Sequence, residues 1–96
     1  MNTYIALVNY TNLGIKTVKE SPERASAIGE KLTAAGGQVK DVYLTMGAYD
    51  FVVVFEALDD EIMAKVLLTA GQLGTLRSTT MRAFPRAEFE NLVASL

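Results

Sequence analysis

The 96-residue chain contains no cysteine, no histidine and no tryptophan, and only two prolines. The absence of cysteine excludes disulfide bonds, thiolate nucleophiles and sulfur-ligated metals. The absence of histidine removes the side chain used most often as a metal ligand and as an acid or base. Composition therefore excludes most familiar active sites, and we predict neither a metal nor a cofactor.

The chain also lacks an excess of positive charge. Nine basic residues stand against eleven acidic ones, which gives a formal net charge of −2. Proteins that bind nucleic acid carry basic surfaces that neutralise phosphates, so we expect no nucleic-acid partner. There is no signal-peptide pattern, and no apolar run approaches the roughly 20 residues of a membrane-spanning helix. We expect no membrane association and a cytoplasmic location.

The residues that are present predict one folded domain spanning residues 1–96. Hydrophobic residues make up 50% of the sequence, far too many for a disordered chain. A domain of this size buries only about 60% of the surface of its unfolded chain, so burial between subunits would add usefully to its stability. These features favour a homo-oligomer.

Four segments have strand character. Residues 3–10 and 49–56 are apolar at both odd and even positions, which indicates central strands that are buried on both faces. Residues 39–46 and 75–84 mix polar with apolar positions, as edge strands do. Gly47-Ala48 predicts a two-residue hairpin turn that pairs residues 39–46 with residues 49–56.

Helices are expected between these strands and after the last one. Ser21 is predicted to cap the first helix ahead of Pro22, and the Gly36-Gly37 pair to end it. Asp59 is predicted to cap the second helix. A short amphipathic helix follows Pro85. The apolar helical positions are Ala25, Ile28, Leu32 and Ala35, then Ile62, Met63, Val66, Leu67, Ala70 and Leu73, and finally Phe89, Leu92, Val93 and Leu96.

The order of elements predicts an α+β, ferredoxin-like βαββαβ sandwich with an antiparallel four-stranded sheet and an extra C-terminal helix. The first and third strands would lie in the middle. Val52 and Val54 cannot share a face with Val53, so one apolar face lies outside the helix layer. We predict that this face packs on a second copy, sheet to sheet, in a homodimer or larger homo-oligomer. Alternatively, residues 11–20 or the last helix fold over it.

The segment Gly47-Ala48-Tyr49-Asp50 resembles the Gly-x-Tyr-Asp motif of the GYD domain family, and the resemblance extends over nearly the whole chain. The same hairpin is similar to that of the effector-binding domain of the leucine-responsive regulatory protein family. That domain belongs to the dimeric α/β-barrel group, so the resemblance implies a sheet-to-sheet dimer. It implies no particular activity.

Three groups of residues are candidates for binding a small-molecule ligand, and each has a structural alternative. Tyr49 and Asp50, beside Gly47, could contact a ligand or could hold the hairpin through backbone hydrogen bonds. Two arginines of the last strand could bind a carboxylate or phosphate, or could be edge charges that prevent unwanted pairing. Two tyrosines of the first strand could line a cavity or fill the core. The two arginines are Arg77 and Arg82, and the two tyrosines are Tyr4 and Tyr10.

Three functions are compatible with the sequence. The first is a non-catalytic module that binds a small ligand and forms oligomers, with an apolar pocket at the sheet face or subunit junction. The second is a cofactor-independent oxygenase or isomerase of the dimeric α/β-barrel type, with Asp50 as the base. The third is a structural or partner-binding protein. The absence of histidine and tryptophan favours a non-catalytic role, and apart from Asp50 in the second hypothesis the sequence identifies no catalytic residue.

Overall fold

The computed structural model describes residues 1–96 and has the predicted ferredoxin-like architecture. The four-stranded antiparallel sheet has the order β2-β3-β1-β4, so the first and third strands are central and the other two are edges, as predicted. The elements in chain order are β1 (Asn2–Tyr10), α1 (Asn12–Lys16), a 3₁₀ helix (Val18–Glu20), α2 (Ser21–Ala34), β2 (Gln38–Leu44), β3 (Phe51–Ala57), α3 (Asp60–Gln72), β4 (Leu76–Ala83) and α4 (Arg86–Ala94).

The core lies between the sheet and the helices α2 and α3. One face of β1 and β3 packs on this helix layer, and Leu32 of α2 and Met63 of α3 are almost completely buried there. Alternation along the strands explains this arrangement, because every second side chain points to the same face. The buried hydrophobic residues are Tyr4, Ala6, Val8, Leu32, Phe55, Ala57, Met63 and Val66.

The hairpin between β2 and β3 has the predicted register from Asp41 to Leu44, but a bulge between Val39 and Asp41 shifts the pairing by one residue, and the predicted two-residue turn is absent. Leu44 lies opposite Phe51, and the Thr45 N–H donates to the Asp50 carbonyl at 2.8 Å. The Asp50 N–H does not complete that pair, because it donates to the carbonyl of Val8 on β1 at 2.9 Å. The strands therefore end at Leu44 and Phe51, and the loop is longer than predicted.

Residues 11–20 form a packed connection on the helix side of the sheet. Thr11 caps α1 by accepting from the Gly14 N–H at 3.1 Å, and its own N–H donates to the Thr75 carbonyl at 3.0 Å. Gly14 is buried, and a Cβ atom at this position would lie 2.0 Å from the Thr75 carbonyl oxygen. Only glycine therefore fits at this contact.

The structure confirms two of the three predicted signals for where helices begin or end. Asp59 caps α3 by accepting from the Ile62 N–H at 2.9 Å. After α2, Gly36 has a φ of +91° and the Gly37 N–H donates to the Leu32 carbonyl at 2.9 Å, a glycine-dependent helix end. The predicted Ser21 cap is wrong. Ser21 lies within α2, and its hydroxyl pairs with that of Tyr10 at 2.7 Å.

The C-terminal helix α4 buries none of its side chains, and every residue from 84 to 96 is exposed. Phe89, Leu92 and Val93 are each more than half exposed. Neither α4 nor the connection of residues 11–20 covers the second face of the sheet, so the alternative in which they do so is not what the structure shows.

Candidate functional site

An apolar cavity lies between the sheet and the helices α2 and α3. Its volume is about 140 Å³, and 13 of the 16 residues that line it are hydrophobic. Small side chains on three elements leave this space, namely Ala6 on β1, Ala25 on α2 and Ala70 on α3. Ala25 and Val42 are exposed, so the cavity opens between α2 and β2. The apolar lining is of the kind found in sites for small molecules, although the volume is smaller than that of most ligand pockets.

Only three of the residues that line this cavity are polar, namely Ser21, Arg24 and Ser78. Arg24 lies in the second turn of α2, and its side chain is 17% exposed. One terminal nitrogen donates to the carbonyl and hydroxyl of Thr17 at 3.2 and 3.1 Å, and the other donates to the Gly14 carbonyl at 3.5 Å. The nearest carboxylate is that of Glu20, 3.6 Å away and 67% exposed. Arg24 is therefore a largely buried cation, held by Thr17 and Gly14, on a residue that lines the cavity.

The face of the sheet away from the helices, which we call the open face, has an apolar centre. Leu7 lies opposite Val52, and Ile5 lies opposite Val54 in the adjacent row. Tyr43 and Met81 extend these rows onto the edge strands. The four central side chains are only partly buried, and those of Tyr43 and Met81 are about half exposed. The open face therefore carries a contiguous apolar surface that is partly exposed.

Polar side chains surround the apolar centre of the open face. Glu56 accepts a hydrogen bond from Gln38 at 2.9 Å and pairs with Lys40 at 3.3 Å. These two contacts, the Gln38 bond first, lower the pKa of the Glu56 carboxyl below its ordinary value. Arg77 lies at the other end of the same face, opposite Asn9. An apolar centre within a polar rim is the usual anatomy of a protein interface.

The predicted site residues of the hairpin form backbone contacts. The Asp50 carboxylate accepts from the Tyr10 N–H at 2.9 Å, and the Tyr49 carbonyl accepts from the Thr45 hydroxyl at 2.7 Å. Gly47 is exposed and has a φ of +122°. These contacts support the alternative in which the motif holds the hairpin, and a ligand contact by any of these residues remains a prediction.

The two predicted tyrosines do not line the cavity. The Tyr4 hydroxyl donates to the Asp60 carboxylate and accepts from the Asn2 amide at 3.3 Å. Burial, and then the hydrogen bond to Asp60, raise the pKa of Tyr4 above its ordinary value of 10.0. Tyr10 lies at the opposite end of β1 and packs edge-to-face on Phe51 with ring centroids 5.2 Å apart. Both residues fit the core-filling alternative.

The two predicted arginines lie on opposite faces of β4. Arg77 is on the open face, whereas Arg82 pairs across the sheet with Tyr4 on the helix face. The Arg82 guanidinium donates to the Asn2 side chain at 2.8 Å and lies 4.8 Å from the centre of the Phe84 ring. The structure therefore does not bring the predicted residues together in one site, and their roles in ligand binding stay predictions.

Sequence reasoning predicted an apolar pocket at the sheet face or subunit junction but not the residues that line this cavity, and it missed Arg24, although one signal pointed to that residue. Arg24 precedes Ile28 and Leu32 at intervals of four residues, which places a cation on the apolar face of α2. A charge on such a face is uncommon unless it has partners. The volume of the cavity could not be foreseen, because it depends on how far the small residues of three separate elements leave the sheet and helices apart.

Two further observations concern metal binding and membrane-spanning helices. No group of three or more acidic residues is arranged to hold a metal ion. None of the helices has the length and apolar character needed to span a membrane.

Comparison with known proteins places the fold and the sequence in a family. A feast or famine regulatory protein from M. tuberculosis, complexed with L-methionine, has the same fold, with a TM-score of 0.67 and 12% identity. The match covers 88% of this chain but only 51% of the regulator, so the chain spans about half its length. A protein of Thermus thermophilus with a known crystal structure has a TM-score of 0.56 and 26% identity, and the match covers 88% of this chain and 95% of that one.

The sequence matches are more specific than the fold. A protein of Thermus thermophilus, named glutamine synthetase and cystathionine beta-lyase binding protein, is 34% identical over 89 residues, which cover 92% of this chain and 94% of that protein. The family model of the GYD domain matches residues 4–93. The chain therefore belongs to the GYD domain family.

Proposed function

We propose that this protein is a non-catalytic binding domain that works as a sheet-to-sheet homodimer and holds a small apolar molecule in the cavity between sheet and helices. The observation that carries the proposal is the open face, where Leu7, Val52, Ile5 and Val54 form an apolar centre that no element of the same chain covers. A second copy would supply the missing cover with the same surface.

The area of the open face suggests how the dimer is completed. Four strands about 4.8 Å apart and about seven residues long give a footprint of roughly 440 Å². A stable interface buries about 800 Å² on each partner, so the sheet face alone falls short. The exposed apolar side chains of α4, Phe89, Leu92 and Val93, offer additional area. We propose that α4 of each subunit packs against the other subunit.

The chemistry of the cavity supports binding over catalysis. Asp50, the base required by the oxygenase or isomerase hypothesis, does not line the cavity, and its carboxylate accepts from the Tyr10 N–H. No other carboxylate or tyrosine hydroxyl is among the lining residues. A general base must lie within hydrogen-bond reach of the proton it removes. The arrangement favours a ligand that is held and not transformed.

Native mass spectrometry of the protein purified from its own source tests both parts of this proposal. We expect the mass of two chains, and an additional small molecule that is released when the dimer is unfolded. A single chain without any retained molecule would contradict the proposal. Dimers without a retained molecule would contradict the ligand-binding part alone.

A second function, binding of a partner enzyme, is favoured by the relative that is 34% identical and is named as a binding protein for glutamine synthetase and cystathionine beta-lyase. Under this proposal the dimer binds one of these enzymes from its own organism. The test is a titration of each purified enzyme with the purified protein, followed by biolayer interferometry. Saturable binding to either enzyme is the expected result, and no binding to both would overturn this second function.

A further inference from the structure

We infer that the cavity takes a small carboxylic acid, with an apolar group about the size of benzene inside and the carboxylate at Arg24. This inference rests on the proposed ligand-binding function and names the chemical class of the ligand. It is carried by the juxtaposition of an apolar cavity and one largely buried guanidinium.

The volume of the cavity sets the size of the apolar group. A dry, apolar cavity of about 150 Å³ holds one benzene molecule, and the cavity here has about 140 Å³. A ring or a branched chain of about six carbon atoms therefore fills it. A longer chain would have to leave through the opening between Ala25 and Val42, which are both exposed.

The charge of Arg24 determines the polar part of the ligand. The groups that accept its hydrogen bonds, the Gly14 carbonyl and the carbonyl and hydroxyl of Thr17, are all uncharged. The Glu20 carboxylate is 3.6 Å away and mostly in solvent, where its interaction is screened. The charge of this largely buried cation is therefore balanced only by uncharged acceptors and one exposed carboxylate. Such an environment favours the binding of a further anion.

The donors of Arg24 also leave room for that anion. The guanidinium carries five N–H donors, and the contacts to Thr17 and Gly14 involve only the two terminal nitrogens. No protein atom accepts a hydrogen bond from Nε. A carboxylate matches the planar geometry of a guanidinium better than a single acceptor does. The backbone contacts hold Arg24 in place, so little entropy is lost when the anion binds.

Isothermal titration calorimetry with three probes that share one ring tests the inference. Phenylacetate carries a negative charge, phenylacetamide is neutral, and phenethylamine is positive. We expect phenylacetate to bind at least about tenfold more tightly than phenylacetamide. This is the ratio of dissociation constants that one additional charge-assisted hydrogen bond produces. Phenethylamine is expected to bind more weakly than both.

Variants separate the role of Arg24 from that of the cavity. Arg24→Met should bind phenylacetate and phenylacetamide equally, and the retained binding of the amide shows that the cavity is intact. Arg24→Lys keeps the charge and should retain a preference for phenylacetate if Arg24→Met does not fold. Lys65→Met is the control, because Lys65 is exposed on α3 and does not line the cavity. It should keep the preference of the unmodified protein.

Two results would overturn the inference. Equal binding of phenylacetate and phenylacetamide by the unmodified protein would refute the carboxylic acid class, while leaving the proposed ligand-binding function in place. No binding of any probe would refute both the class and the ligand-binding function. The proposed dimer has its own test and does not depend on either result.

Discussion

The Asp50 carboxylate accepts a hydrogen bond from the backbone N–H of Tyr10 at 2.9 Å, and this contact joins the hairpin loop to the end of the central strand β1. The Asp50 N–H donates in turn to the Val8 carbonyl at 2.9 Å. The aspartate of the Gly-x-Tyr-Asp motif thus bonds to β1 through both its side chain and its backbone. These two contacts give the aspartate of the motif a structural role at this position.

Replacing Asp50 by alanine should lower the free energy of unfolding by about 1–2 kcal/mol, because the Tyr10 N–H loses its acceptor. Asp50→Asn keeps an oxygen acceptor and should cost less. Urea denaturation measures both. Glu30→Ala is the control, since Glu30 is exposed on α2 and its side chain has no hydrogen bond or ion pair. If Asp50→Ala and Glu30→Ala have the same stability, Asp50 does not hold the hairpin.

Replacing Ala70 by leucine should raise the melting temperature, because the new side chain fills part of the cavity and adds about 1 kcal/mol of apolar burial. Ala64→Leu, on the exposed side of the same helix, should change stability little. Ala70→Leu should also abolish binding of the phenyl probes. A lower melting temperature for Ala70→Leu than for Ala64→Leu would show that the space is not available.

Two glycines should respond to alanine in opposite directions. Gly14→Ala places a Cβ 2.0 Å from the Thr75 carbonyl oxygen, and we expect a loss of about 3 kcal/mol or more. Gly71→Ala lies within α3 with no atom within 4 Å of the new Cβ, and should gain about 0.5–1 kcal/mol from helix propensity. Chemical denaturation of the two variants checks this difference. Equal stabilities would contradict the close packing of α1 on the α3–β4 loop.

Tyr4 should make the protein sensitive to alkaline pH. Its pKa in the folded protein is above 10.0, so the unfolded chain loses this proton at a lower pH than the folded one. The contribution to stability is therefore complete below about pH 10 and is lost as the pH rises from there through the folded pKa.

Tyr4→Phe removes this proton, so its stability should fall less steeply than that of the unmodified protein between about pH 9 and about pH 11. Urea denaturation across this range measures the slopes. Identical slopes for Tyr4→Phe and the unmodified protein would rule out the proposed role of Tyr4.

The parts of the fold that the sequence predicted depend on short-range signals. Apolar residues at both odd and even positions identified β1 and β3 as central, and Asp59 and the Gly36-Gly37 pair marked helix ends, because each signal acts within a few residues. The prediction of a two-residue turn after Leu44 is wrong because the Asp50 N–H donates to the carbonyl of Val8, more than 40 residues away. The prediction of a Ser21 cap is wrong because the Ser21 hydroxyl pairs with the hydroxyl of Tyr10 on another element. Local patterns do not specify either contact.

The candidate site was less predictable than the fold. The sequence placed Tyr4 and Tyr10 on one face of β1, but it could not show that their hydroxyls pair with Asp60 and Ser21. The cavity depends on the packing distance between sheet and helices, which no local pattern specifies. The open face could be predicted, because strict alternation along β3 leaves Val52 and Val54 away from the helices.

Sedimentation equilibrium over a wide range of concentrations tests the central proposal, that the open face pairs with a second copy. We expect the mass of two 10.4 kDa chains for the unmodified protein. Leu7→Glu should give single chains, because it places a charge at the apolar centre. Leu68→Glu, at an exposed leucine of α3, should remain a dimer. A single-chain mass for the unmodified protein at the highest concentration, or a dimer that persists in Leu7→Glu, would contradict the proposal.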